Sequence, residues 1–149
     1  AHPTLLSQEI WGDELCMVCS QNHSQISEQV TLEQYLSAKH VMLTHDNYRV
    51  NQLTEFHSPI FADRKVARKL NSIADFSDTI YSSDWIATFP KGVANAYFDK
   101  DKIKLLELPF EYTKPSLSVY WHSNRNDDIV NQWLRELVTS EVLTLSSEI

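Results

Sequence analysis

Apolar residues recur along the chain in two rhythms. Near the C-terminus, Leu117, Val119 and Trp121 alternate with Ser118, Tyr120 and His122, the period of a half-buried strand. A polar turn follows. Ile129, Val130, Trp133, Leu134, Leu137 and Val138 then recur at helical spacing and form one apolar stripe. Asn126, Asp127 or Asp128 can cap that helix, because a short side-chain oxygen accepts from unpaired first-turn N–H groups. Upstream, residues 1–13 form a lead-in carrying apolar Leu5, Leu6, Ile10 and Trp11, and residues 14–20 read as a buried strand. Thr31 with Gln34 three positions on is a capping-box signal for a helix over 32–38. Short strands are expected at 40–43, 65–70 and 103–106. A turn is expected at 44–48, and a helix over 50–56 that stops before Pro59. Ser72 is placed to cap a helix over 73–80, Ser83 or Asp84 another over 85–89, and 92–98 forms a further one. Strands alternating with helices indicate an α/β fold with a mostly parallel sheet.

Composition narrows the class. The 149 residues, 42% hydrophobic with four Trp, suffice for one domain or two small lobes with a packed core. No run approaches the roughly 18 apolar residues of a membrane span, and no signal-peptide pattern is visible. No membrane partner is expected, and a cytoplasmic location is. The formal charge of −7 argues against this piece gripping DNA, since phosphate binding needs clustered Lys and Arg. The basic cluster Arg64, Lys65, Arg68 and Lys69 reads as a solvated strand edge.

Candidate chemistry is sparse. Cys16 and Cys19 form a C-x-x-C, but they lie on a strand, where residues three apart point to opposite faces. No second pair completes a zinc site, so both read as core thiols. The six His residues show no helical metal-ligand spacing. His122 reads as a hydrogen-bonded group beside Trp121. There is no Gly-x-Ser-x-Gly elbow and no phosphate-cradling Gly-rich loop, so neither catalysis nor a cofactor is expected. The loop ends are the better candidates. In open α/β sheets, ligands sit beyond the carboxyl ends of strands, where helix N-termini expose N–H groups. Thr44-His45, Asn71-Ser72 and Ser82-Ser83 occupy such places, although capping or turn formation explains each residue singly.

Residues 12–23 (GDELCMVCSQNH) resemble a strand that ends in a histidine signature; 31–41 (TLEQYLSAKHV) and 64–72 (RKVARKLNS) fit the elements that follow. Residues 83–90 (SDWIATFP) are close to Thr-Asp-Leu-Ile-Ala-Thr-x-Pro, and Leu108-Pro109-Phe110 to a return between lobes. With Trp121-His122 and Trp133-Leu134-Arg135, this order resembles the effector-binding domain of LysR-type transcriptional regulators, in the branch with nodulation and aromatic-catabolism regulators. The resemblance implies a two-lobed fold like the type 2 periplasmic binding proteins. Residues 1–13 would be first-lobe lead-in and hinge, 14–108 the second lobe, and 109–149 the return and the first lobe's C-terminal strand and helix. It further implies a small carboxylate or aromatic effector held between the lobes at Thr44, His45, Asn71, Ser72, Ser82 and Ser83. A dimer or tetramer is expected, with Ile129, Val130, Trp133 and Leu137 at the subunit contact. DNA would be bound only through an N-terminal winged helix-turn-helix that this chain does not contain, and the first lobe's opening elements are absent too. The alternative is a solute-binding protein or small α/β enzyme of the same architecture.

Overall fold

The computed structural model describes residues 4–44 and 58–147. The turn expected at 44–48 beyond Thr44, and the helix expected over 50–56, lie outside the described residues. In chain order the elements are β1 (Leu5–Gly12), β2 (Leu15–Ser20), α1 (Leu32–Ser37), β3 (Lys39–Leu43), a 3-10 turn (Pro59–Asp63), β4 (Lys65–Leu70), α2 (Ala74–Tyr81), β5 (Ala87–Pro90), α3 (Lys91–Tyr97), β6 (Ile103–Glu107), β7 (Ser116–His122), a second 3-10 turn (Ser123–Arg125) and α4 (Ile129–Ser147). They divide into two compact units, residues 14–114 and the paired segments 1–13 and 115–149.

The larger unit is built around β2, all six of whose residues are buried. Its alternation sends Cys16 and Val18 into one apolar cluster, and Leu15, Met17 and Cys19 into another. The two thiols therefore sit in different cores, both buried and neither in a disulfide, as their spacing on a strand requires. Burial pushes the Cys19 thiol up to about 11, which keeps it protonated and unreactive at neutral pH. On the first side, α2 supplies Phe76 and Ile80, α3 supplies Ala94 and is followed by Phe98, and Phe89 meets Phe76 edge-on and Phe98 at a tilt. On the second, Tyr35 and Phe61 each meet the ring of Phe110. The capping box at α1 is present, with the Thr31 hydroxyl accepting from Gln34 N and the Gln34 amide oxygen from Thr31 N.

The strands join as β5-β2-β6 and β3-β4. A parallel bridge from His40 to Ile86, with Val41 N donating to Ile86 O at 2.8 Å and Ile86 N to Lys39 O at 2.9 Å, links the two groups in the order β4-β3-β5-β2-β6. Four of the five strands run in one direction, as expected of a mostly parallel sheet, and β2 is the exception. β3 pairs with β4 in parallel, whereas β2 runs antiparallel to both β5 and β6. Residues 85–89, expected to be helical, instead contribute β5. Ile86, Ala87 and Phe89 are buried between β2 and β3, and strand pairing overrides the local helical signal. Ser72 is not a side-chain cap either. Ile73 occupies the N-cap of α2 with no side-chain bond, and Ser72 supplies only its carbonyl, to Asp75 N.

In the smaller unit, the lead-in is itself a strand. β1 pairs antiparallel with β7 from Leu5↔His122 to Gly12↔Ser116, with a bulge at Ile10, and Asp13 N donates to Pro115 O. α4 packs against β1. Its N-terminus is capped by Asp128, whose Oδ1 accepts from Val130 N at 3.0 Å and Asn131 N at 3.1 Å. These backbone bonds and Arg125 hold the Asp128 carboxyl below its ordinary value.

Candidate functional site

β3, β4 and β5 share one direction, and β5 and β6 run opposite to β2. Pro90 of β5 pairs with Leu15 at the start of β2, and Glu107 at the end of β6 with Cys16. The carboxyl ends of β3 and β4 therefore lie at the end of the sheet where the chain enters the larger unit at Leu15 and leaves past Glu107. Three of the expected ligand residues are here. Thr44 N donates to Leu70 O at 2.7 Å and its hydroxyl to the same oxygen at 3.3 Å, which ties the loop after β3 to the one after β4. Asn71 and Ser72 follow directly, both exposed. Among the described residues their side chains make no hydrogen bond, and both stand at the uncapped start of α2. His45, the fourth, lies outside the described residues.

Ser82 and Ser83 are elsewhere. They close α2 instead of opening a helix, and its eight residues set them roughly 12 Å along the axis from its start. Their hydroxyls are spent internally, Ser82 Oγ on Asp78 O and Ser83 Oγ on Thr79 O, both at 2.6 Å. The geometric premise that placed them in one wall with Asn71 and Ser72 does not hold. They line a shallow polar cavity of about 310 Å³ with Ser20, Asn22 and Asp84, at the opposite end of the sheet.

Asp84 holds that end together. Its Oδ1 accepts from Ser24 N at 2.9 Å and its Oδ2 from Ser24 Oγ at 2.5 Å. The two bonds from Ser24 hold the Asp84 carboxyl below its ordinary value. His23 Nδ1 accepts from Gln25 N and Ile26 N, which leaves Nε2 protonated and donating to Asp84 O at 3.0 Å. His23 is thus a loop anchor, with its Nδ1 3.9 Å from the Asp84 carboxylate. Nothing in the local sequence pointed to Asp84 as its partner, 61 positions away.

The motif residues of the smaller unit also come together. The Arg135 guanidinium lies 4.3 Å from the Trp121 ring and donates to Asn126 O and Asn131 Oδ1. Trp121 Nε1 donates to Asn126 Oδ1 at 3.2 Å. Arg135, Asn131 and Thr139 are the half-buried stripe of α4. Its apolar arc turns the other way, with Ile129 81%, Val130 71%, Trp133 59% and Leu137 39% exposed. Among the described residues no three His, Cys, Asp or Glu side chains converge on a point that could hold a metal ion. None of the described helices is long and apolar enough to cross a membrane.

The model of the LysR substrate binding domain matches residues 1–142. The chain belongs to this family. In sequence it is 25% identical over 134 residues to Nodulation protein D 2 of Rhizobium tropici, and 22% identical over 121 residues to the transcriptional activator NahR of Pseudomonas putida. These alignments take in 89% and 81% of this chain but 42% and 40% of the relatives, so the LysR domain spans about two fifths of their length. Solved structures agree on the fold. The regulatory domain of MetR, a LysR family regulator from N. meningitidis, superposes with a TM-score of 0.71 at 11% identity, over 97% of this chain and 67% of that one. The effector-binding domain of QuiR, solved with shikimate, gives 0.66 at 13% identity, over 94% and 66%. The relatives named are transcriptional regulators, and the architecture is that of the type 2 periplasmic binding proteins.

Proposed function

We propose that this LysR domain senses a small effector for a transcription regulator and that the effector is a compact carboxylate or aromatic acid. Residues 14–114 would be the second lobe; 1–13 and 115–149 would belong to the first. The observation that carries the reading is the end of the larger unit's sheet at which β3 and β4 finish. There Thr44, whose hydroxyl ties the loop to Leu70 O, stands with Asn71 and Ser72 at a helix start, and the Asn71 amide and Ser72 hydroxyl make no hydrogen bond among the described residues. Free first-turn N–H groups and the helix dipole favour an anionic oxygen at such a place. His45, next in the chain, is the fourth proposed contact. Ser82 and Ser83 have no part in it. The shikimate bound by the QuiR domain, a hydroxylated carboxylate, is of the class proposed.

Calorimetry with a panel of small hydroxylated and aromatic acids tests this. A binder is expected whose affinity falls about tenfold or more in Asn71→Ala or Ser72→Ala, on the scale of one lost charge-assisted hydrogen bond. Ser82→Ala should leave it unchanged. Binding that survives Asn71→Ala and Ser72→Ala but fails in Ser82→Ala would move the site to the other end of the sheet. The outward arc Ile129, Val130, Trp133 and Leu137 is the proposed contact with a second copy. A Trp133→Glu chain should then sediment more slowly than the wild type at the same concentration. DNA binding belongs to a separate winged helix-turn-helix domain.

A further inference from the structure

We infer that the outer edge of β6 is a docking strip for an extended basic segment of a partner protein, which adds to the larger unit's sheet as a further strand. β6 ends the sheet on the side away from β4, and among the described residues it pairs only with β2. The phase of that ladder is fixed. Gln21 N donates to Lys102 O at 2.8 Å, and the same register sets Cys19 opposite Lys104 and Met17 opposite Leu106. Opposed residues of an antiparallel pair alternate between hydrogen-bonded and non-bonded pairs. Lys104 and Leu106 therefore spend their N–H and C=O groups on β2. Those of Ile103, Leu105 and Glu107 point outward, and no described residue takes them up. Beside this edge is a cavity of about 510 Å³, walled by Leu105–Pro109 on one side and by the loop at Glu28, Gln29 and Val30 on the other. Lys104 Nζ donates to Ile26 O at 2.9 Å and ties that loop to the strand.

Charge selects the occupant. Glu28 and Glu107 both line the cavity and are exposed, and neither carboxylate forms an ion pair or hydrogen bond with any described residue. The cation of the strand, Lys104, is already committed to Ile26 O. The two carboxylates belong to different faces of the edge. Val30 sits in the second apolar cluster, against which Leu106 packs, so the loop of Glu28 lies on that face. Glu107 follows Leu106 in the strand and alternates to the other face. An added strand would thus meet a carboxylate on each of its faces, and two adjacent lysines or arginines would each find a partner. Leu108 and Pro109 continue the wall with apolar surface for the residues between. The chain as a whole carries −7, which draws a basic segment in and repels nucleic acid. A small polycation could answer the carboxylates but could not complete a backbone ladder, and that favours a peptide segment.

The test uses the full chain and a fluorescent ten-residue peptide in which pairs of lysines alternate with pairs of threonines, so that lysines stand on both faces of the strand. Binding is expected, weakening with salt, and at least tenfold weaker in the chain carrying Glu28→Lys and Glu107→Lys together. Residue-resolved hydrogen exchange on the unaltered chain needs no variant to fold. The peptide should slow the amides of Ile103, Leu105 and Glu107 and leave those of Lys104 and Leu106, already bonded to β2, as they were. Three results would overturn the inference: no binding of the peptide; binding without slowing of those three amides, which would make the contact one of charge alone; or a change in the chain's own sedimentation on the double charge reversal, which would make the occupant a second copy.

Discussion

His40 is 1% exposed, and burial lowers its imidazole from an ordinary 6.5 to about 4, with Arg64 adding to the effect. Its Nε2–H donates to Tyr35 O at 2.7 Å, while Nδ1 finds no partner among the described residues. A proton added there would sit in the core without an acceptor. The sign follows from linkage. The unfolded chain takes up this proton near 6.5 and the folded chain only near 4, so the unfolded state binds more protons in between and stability falls as pH drops from 6.5 towards 4. Above 6.5 the group contributes no slope. Between pH 7.5 and pH 5 the loss is about 2 kcal/mol, from the ratio of the two proton-binding polynomials. For a unit of about 100 residues that lowers Tm by roughly 8–16 °C. Denaturant titrations at pH 7.5, 6 and 5 on the wild type and on His40→Gln isolate the contribution, because the Gln amide can still donate to Tyr35 O and does not titrate. The difference between the two proteins should shift by about 2 kcal/mol in favour of His40→Gln as pH falls. Parallel pH profiles would show that the imidazole is not held neutral by its surroundings.

Other substitutions probe the remaining contacts. Arg135→Ala removes the cation over Trp121 and two hydrogen bonds. It should cost the smaller unit about 1–2 kcal/mol and shift tryptophan emission, and an unchanged spectrum would refute the stacking. Asp128→Ala removes the cap of α4 and should lower the urea midpoint of unfolding. Ser24→Ala deletes the short bond to Asp84; hydrogen exchange in residues 21–26 should speed up while that of β2 stays constant. Cys16 and Cys19 should resist a thiol reagent in the native chain and react only on unfolding.

The legible parts of the fold were those encoded over a few neighbours. The Thr31–Gln34 capping box, the alternation in β7 and the apolar run of β2 each carry their own period or cap. Residues 85–89 misled because Ile86, Ala87 and Phe89 are equally compatible with a short buried helix. They become a strand by pairing with β2, far away in sequence. β1 was hidden for the same reason. Only four of its eight residues are large and apolar, its alternation is broken by the bulge at Ile10, and its order comes from β7. The direction of β2 within the sheet is likewise a tertiary fact, and it decides whether the sheet is parallel.

The candidate site shows the same division at the scale of single side chains. Thr44, Asn71 and Ser72 could be placed from sequence because each follows a parallel strand, and parallel neighbours necessarily end at the same side. Ser82 and Ser83 looked equivalent in composition, yet they follow a helix. A helix that starts where β4 ends and packs back along the sheet must deliver its last residues to the opposite end, roughly 12 Å away. The hydroxyls there turn inward to the carbonyls of Asp78 and Thr79 in the last turn of α2, where the helix's own ladder runs out. Hydroxyl-rich loops thus separate by what precedes them: after a strand they face the ligand end, after a helix they close the helix. Applied to this chain, that rule keeps Thr44, Asn71 and Ser72, with His45 next in sequence, as the proposed effector contacts, and sets Asp84, with its grip on Ser24 and His23, at the other end of the sheet.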